Sequence, residues 1–478
     1  TGYRLDLGGS AHILIHHTPI VADLELERYG LDYLDLDPMF WMPFPDGRHI
    51  TVWRDVDRTC QSIAAVSPAD ADRYRAFLDR WRPLAEATVA SFLAPPTAAN
   101  LWRSFGRAQG SGRSRRAEDM TDLLRPYGDL LRRSFDSPEV QALVGWMAAQ
   151  SGPPPTEPLS APFALWHPMY HVSGVRRPRG GSGQLTQALA RMIAAHGGRI
   201  VVDAPVTRLV VERGRVVGAE TAGGGVVTGR AVVSGAHVHT TAALVGEVNL
   251  PSAARRLLAS TRTGNGFGMV LRCAVDALPD YLAQPTAPDG APGAHHRALQ
   301  LLCPSLDHID RAYADYLGGA PSRDPGLIAM TFSAVDDTLA PPGKHVLFLW
   351  GQYYPYALAG GRHWDDIGDR VADDMLAALG RYAPNVAGSV TARLVETPLY
   401  LERTLGLLRG NVMHLEMSID QMFLLRPALT MAGYRGPLPG LYLTGASTHP
   451  GGGILGASGR SAAAVVVGDL DAQRWWAR

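Results

Sequence analysis

Cysteine is nearly absent: Cys60, Cys273 and Cys303 are the only three in 478 residues, widely spaced and without a CxxC pair. That excludes a disulfide framework and a cysteine zinc site, and makes a reducing cytoplasm the expected compartment. No apolar run reaches the length of a transmembrane helix, and no signal peptide is visible. Neither sign of charge is in excess, with Lys+Arg and Asp+Glu at 45 each, so nothing points to nucleic acid or an acidic partner. There is no GxSxG elbow, no HExxH helix and no Walker A loop. The 16 histidines are scattered. The pairs His16-His17 and His295-His296 are adjacent and cannot share one metal-binding face of a strand, so no metal site is expected. Internal repeats and low-complexity tails are also missing. With no assembled nucleophile or metal, difficult chemistry falls to a cofactor. The remaining composition, 46% hydrophobic and 19% charged, is that of a large globular enzyme of two to three domains.

Glycine is where the chain is informative. Gly440 to Val467 reads GLYLTGASTHPGGGILGASGRSAAAVVV. Leu441 to Leu443 predicts a buried strand closed by Gly445, followed by three glycines and a helix of small residues. Glycine lets a backbone approach another molecule closely and adopts positive φ without steric cost. A helix N-terminus offers free N–H groups and a positive dipole end, which suits an anion or an electron-rich ring edge. Gly451, Gly453 and Gly456 also match G-x-G-x-x-G. That fingerprint requires an acidic residue about 20 positions on, after a second parallel strand. Arg478 comes before such a strand has room to form, so the match fails as a first βαβ unit and stands as a second contact to a dinucleotide. The alternative is a glycine turn that merely packs a helix on a sheet.

Four segments carry a resemblance. They are Gly2–Leu31 (GYRLDLGGSAHILIHHTPIVADLELERYGL), Arg179–Glu220, Gly410–Pro427 (GNVMHLEMSIDQMFLLRP) and the glycine-rich terminal block. Together the chain resembles the phytoene desaturase-type FAD oxidoreductases, and within them the pyridine nucleotide-disulfide oxidoreductase-domain relatives more than the carotenoid enzymes. The resemblance implies an α/β fold: a discontinuous Rossmann-like FAD-binding domain (1–20, 176–250 and 405–478) with an inserted mixed sheet-and-helix substrate domain (21–175 and 251–404). It implies that Gly8, Gly9 and Ser10, with Ser447 to Gly453, border the isoalloxazine. By the same resemblance, Val206 would stand where the backbone meets the adenine and Gly235 would leave space beside the cofactor; a meander that only braces the sheet is the alternative. Gly445, Ala446, Gly451, Gly452, Gly453, Ile454 and Gly456 complete the set, the helix after Gly456 facing the pyrimidine end. His12, His449 and Asp420 are the polar residues of these segments placed to move a proton; a structural hydrogen bond is the competing role for both histidines.

One departure concerns the ADP half. The family opens with a strand, GxGxxG, helix and second strand, which takes roughly 30 residues; Tyr3–Leu7 corresponds to the stretch immediately after that unit. A trimmed sequence is the favoured explanation, with a fingerprint from another chain or an unusual mode of FAD binding as alternatives. The implied activity is desaturation, saturation or oxidation of an apolar lipid, isoprenoid or polyketide-like molecule by hydride transfer. A flavin-free scaffold subunit and an isomerase using reduced flavin are the rivals. Peripheral membrane contact is a further expectation, and oligomeric state is not defined.

Local patterns add detail. Residues 31–54 predict short strands with a turn at Asp46-Gly47, and 67–150 predict helices opened by Ser67-Pro68 and Ser137-Pro138. Gly110–Arg116 predicts a polar loop, solvated or membrane-facing. Ala164–Val175 brings Trp166, His167, Tyr170 and His171 together as a substrate wall or an aromatic core strand. Strands are expected at Arg199–Val202, Val206–Glu212, Arg215–Thr221, Val226–Ser234, Phe267–Val275, Leu327–Ser333 and Val346–Gln352, with helices at Leu185–His196 and Trp364–Tyr382. Trp350, Tyr353, Tyr354 and Tyr356 form a second candidate aromatic wall.

Overall fold

A single apolar run, GMVLRCAV, sets the centre of the molecule. All eight residues of the strand Gly268–Val275 are buried, so both faces of its sheet are covered. The computed structural model describes residues 2–106 and 113–472. Within them this strand lies second in a seven-stranded sheet ordered Val390–Glu396, Gly268–Val275, His345–Gln352, Leu327–Met330, Leu299–Leu302, Phe40–Pro43, His49–Val52. Its pairings are antiparallel except Leu299–Leu302 against Phe40–Pro43. The hairpin Phe40–Val52 turns where Asp46-Gly47 places it, with Gly47 at φ 86°.

Period-two alternation divides the two faces. Met269, Leu271, Cys273 and Val275 pack with Val371, Met375 and Leu379 of the helix Trp364–Gly380. Val270 faces the other way, toward a core that includes Trp81, Leu131 and Leu143 of the helices Pro68–Phe92, Tyr127–Ser134 and Pro138–Ala149. Arg272 shares that second face. Ser137 caps its helix by accepting from Val140 N–H. Ser67 makes no cap bond; its hydroxyl donates to Asp70, a fully buried carboxylate that also accepts from the N–H groups of Asp136 and Ser137.

Three expectations are corrected. Trp166–Ser173 is a helix, not a strand, and packs against Pro68–Phe92. Arg199–Val202 forms no strand: Ile200, Val201 and Val202 are 54%, 70% and 75% exposed and pair with no neighbour among the described residues. β-propensity alone does not hold a strand without a partner. Val226–Ser234 splits into Val226–Thr228 and Val232–Ser234, which join different sheets. Of the Gly110–Arg116 loop, residues 110–112 lie outside the described residues; Arg113–Leu123 is helical.

The segments flanking the sheet domain build a smaller layer. Val206–Glu212, Arg215–Thr221 and Val226–Thr228 form an antiparallel meander, while Val232–Ser234 pairs in parallel with Leu441–Leu443. The two meet at Gly440, whose φ is 79° and whose missing Cβ would strike the carbonyl of Val216.

Candidate functional site

Each of the two parallel strands runs into a tight turn and then a helix. Val232–Ser234 leads through Gly235 and Ala236 to Val238–Val245; Leu441–Leu443 leads through the glycine loop to Ala457–Asp471. The crevice beyond the carboxyl ends of parallel strands is where open α/β sheets bind ligands. Here the turns touch: a Cβ on Gly445 would lie 3.0 Å from the carbonyl oxygen of Gly235. Ser447 Oγ accepts from Val238 N–H at 3.0 Å, and Ser458 Oγ accepts from Gly445 N–H at 2.8 Å, so each turn is fastened to a helix start.

The N-terminal segment closes over this crevice. A Cβ on Gly9 would lie 2.9 Å from Ile454 Cδ1, one on Gly453 2.7 Å from Leu14 Cδ1, and one on Gly456 2.9 Å from Ile20 Cδ1. Gly451, Gly453 and Gly456 hold φ of 111°, 106° and 71°, and nothing lies within 4 Å of the Cβ position of Gly8. The structure therefore gathers Gly8, Gly9, Ser10, Gly235, Gly445, Ala446, Gly451, Gly452, Gly453, Ile454 and Gly456. Val206 instead opens the meander and is 42% exposed. Cβ atoms at Gly9, Gly451, Gly452, Gly453 and Gly456 would strike Ile454, Met417, Met413, Leu14 and Ile20, so only glycine lets these loops pack so closely, beside two helix N-termini whose free N–H groups suit an electron-rich ring edge.

The three proton-transfer candidates differ sharply. Ser182 donates its hydroxyl to Gly9 O, so His12 Nε2–H must donate to Ser182 Oγ at 3.0 Å, and Nδ1 accepts from Tyr33 OH at 2.8 Å. Both nitrogens are committed, and burial, then the neighbouring His16, pushes the imidazole down to about 4. Asp420 is exposed and pairs with Arg262 through two bonds of 2.8 and 2.9 Å, which hold its carboxyl at about 2. His449 is fully buried; Nε2–H donates to Ser91 O at 3.0 Å while Nδ1 has no partner. Burial pushes it down to about 4.

These shifts carry a stability prediction. His12, His414 and His449 each titrate near 4 when folded against an ordinary 6.5. Between those values the unfolded chain binds more protons, so stability is full above about 6.5 and falls as pH drops toward about 4. Thermal unfolding across that range is expected to show a steep fall in midpoint; a flat profile would contradict neutral buried imidazoles.

Sequence reasoning missed Arg272, Glu396, His237, His414 and Arg426. Arg272 donates twice to Glu396, at 2.9 and 3.0 Å, with both side chains buried, and reaches Gly8 O at 3.2 Å. A lone charge in GMVLRCAV was the available signal, because a fully buried arginine is rare without a partner. His414 (φ 63°) stacks on His237 and bonds Ser447 through Nδ1 at 2.9 Å. Arg426 lies fully buried beneath the glycine loop.

Two cavities flank the segment 411–423. One, of about 170 Å³, is walled by Leu84, Phe92, Phe163, Trp166, Met422 and Phe423. The other, of about 100 Å³, is walled by Phe267, Tyr313, Tyr316, Tyr353, Met413 and Glu416. Neither aromatic wall expected from sequence forms as a unit. Trp166 reaches the first cavity, but His167 and His171 bond Tyr74 OH in the core at 2.6 and 2.7 Å. Tyr353 reaches the second, whereas Tyr354 packs on Trp364 across the sheet and Tyr356 donates to Glu402.

Residues 112–467 match the family of flavin containing amine oxidoreductases. The chain belongs to this family. It is an FAD-dependent oxidoreductase, and the flavin-free scaffold alternative falls away. Pyridine nucleotide-disulfide oxidoreductase domain-containing protein 2 of Rattus norvegicus is 33% identical over 94% of this chain and 83% of its own length. A limonene dehydrogenase subunit of Castellaniella defragrans is 25% identical over 100% of this chain and 88% of its own. A lycopene-forming phytoene desaturase from Paracoccus is 25% identical over 91% of this chain and 82% of its own. The fold is similar to that of a solved oxidoreductase from Methanosarcina mazei, with a TM-score of 0.59 at 16% identity, covering 98% of this chain and 89% of that one. The phytoene desaturase-like assignment is borne out, and FAD is the cofactor.

Proposed function

We propose that this flavoenzyme oxidises, desaturates or saturates an apolar small molecule held in the Leu84–Phe423 cavity. The observation that carries this is the cavity's position. Phe92 and Phe423, two of its walls, stand 5.8 and 5.6 Å from the ring of His449 in the glycine loop. Phe92 also packs with Leu455 and Ala457 at the start of the C-terminal helix. Limonene and phytoene, named in two relatives, are hydrocarbons that such a lining would accept.

FAD bound on Gly8–Ser10 and Ser447–Gly453 supplies hydride exchange with a substrate carbon. The protein's share is to orient, exclude water and handle one proton. Glycine backbone lets the ring approach, and Phe92, Trp166 and Phe423 keep water from the reacting face. Of the three polar candidates, His449 alone keeps a ring nitrogen unpaired, and Nδ1 is the site we assign to proton transfer. His12 fixes the Gly9 turn; Asp420 fixes the cavity segment through Arg262.

An apolar substrate arrives from lipid. Trp102, Leu124, Leu159 and Leu425, all exposed, lie close in sequence to cavity residues Phe105, Leu123, Pro162 and Phe423, and we propose that they rest on a bilayer surface. No helix among the described residues is long and apolar enough to cross a membrane.

Anaerobic titration of the FAD-loaded enzyme tests the proposal. Isoprenoid hydrocarbons are expected to bleach the flavin absorbance and primary amines to leave it unchanged. Bleaching by amines alone would overturn the apolar reading. Product formed by the prereduced enzyme without flavin reoxidation would identify the isomerase instead.

A further inference from the structure

Among the described residues three arginines are fully buried, and one of them has no acid. Arg177 faces Asp6 and Asp336, and Arg272 pairs with Glu396. Arg426 bonds only to backbone carbonyls: Ala446 O from Nε and Nη2 at 3.0 and 2.8 Å, Met413 O at 2.6 Å, Leu415 O at 3.3 Å, and Glu416 O and Gln421 O at 3.2 Å each. Among the described residues no carboxylate lies within ion-pair distance of it. Carbonyl dipoles satisfy its N–H groups but leave a net charge in a low-dielectric interior, an arrangement costly unless something balances it. Burial lowers its pKa to about 9, so it stays protonated at neutral pH.

Its place suggests what balances it. Ala446, its double acceptor, belongs to the glycine loop, and a Cβ on Gly451 would lie 3.3 Å from Arg426 Nε. The other acceptors lie in 413–421, the segment between the two cavities. We propose that Arg426 is a positioning residue whose fixed positive charge, set behind the Ala446–Gly451 loop, favours the reduced state of the bound flavin. This rests on the reading that the isoalloxazine lies on that loop. A hydride leaving a substrate carbon brings two electrons and one proton to the ring and leaves it one net negative charge; the substrate's second hydrogen departs as a proton. A buried cation nearby stabilises that charge and opposes none in the oxidised ring, so it acts on the reduced state alone.

The test is the flavin midpoint potential in FAD-loaded Arg426→Lys and Arg426→Gln, with FAD content measured alongside. Arg426→Lys is expected to keep the potential. Arg426→Gln is expected to move the reduction equilibrium toward oxidised flavin by about tenfold or more, about 30 mV per tenfold for two electrons. An Arg426→Gln enzyme that holds FAD at unchanged potential overturns the proposal and leaves the arginine as a loop staple. If that variant loses FAD, the unaltered enzyme decides: one proton taken up per two electrons in mildly acidic buffer supports the proposal, and two overturn it. An unaltered protein that binds no FAD removes the underlying reading, and this proposal with it.

Discussion

Glu396→Ala is expected to destabilise the fold by about 3–5 kcal/mol, because it strands Arg272 as an unpaired charge in the sheet. The two side chains are 2% and 0% exposed and bonded through both carboxylate oxygens. Arg272 is also the group that reaches Gly8 O, so the loss extends from the sheet to the Gly8–Ser10 turn. Replacing the pair together by apolar residues is expected to cost much less, since a buried ion pair contributes little beyond its own mutual compensation. Denaturant unfolding of the single and paired variants separates these outcomes. A single variant within about 1 kcal/mol of the parent would mean that water reaches the stranded guanidinium.

Gly452→Ala is the second large effect. Its Cβ would overlap the Met413 sulfur and lie 3.1 Å from Met413 Cα, and that residue's carbonyl is bound to Arg426. The backbone therefore cannot yield without disturbing the arginine. The expected result is a loss of about 1–3 kcal/mol from overpacking, together with loss of FAD on gel filtration. Gly459→Ala is the control. No atom lies within 4 Å of its Cβ position in the helix Ala457–Asp471, so a gain of up to about 1 kcal/mol and full FAD content are expected. Equal FAD retention in both variants would argue that the glycine loop is not where the flavin binds.

The motifs that identified this enzyme were legible because they are local. Leu441–Leu443, the turn at Gly445 and the helix after Gly456 are contiguous, and glycine's conformational freedom marks them in any context. The meander strands Val206–Glu212 and Arg215–Thr221 likewise follow from alternation and one turn at Arg213-Gly214. Arg199–Val202 reads as a strand by the same rules and yet is not one, because a strand is completed by a neighbour its own residues do not encode.

What the sequence alone determined was therefore the family and the cofactor. The resemblance carried by four contiguous segments sufficed for both. Tertiary structure decided which polar groups remain free to act. His12, His449 and Asp420 are equal candidates on paper. Folding commits both nitrogens of His12, spends Asp420 on Arg262 and leaves His449 Nδ1 unpaired. It also left Arg426 with six bonds to carbonyl oxygens and no acid, while Arg272 found Glu396 across 124 residues. Charge compensation in an interior depends on which side chains meet, and those meetings are set by packing between segments that are distant in the chain.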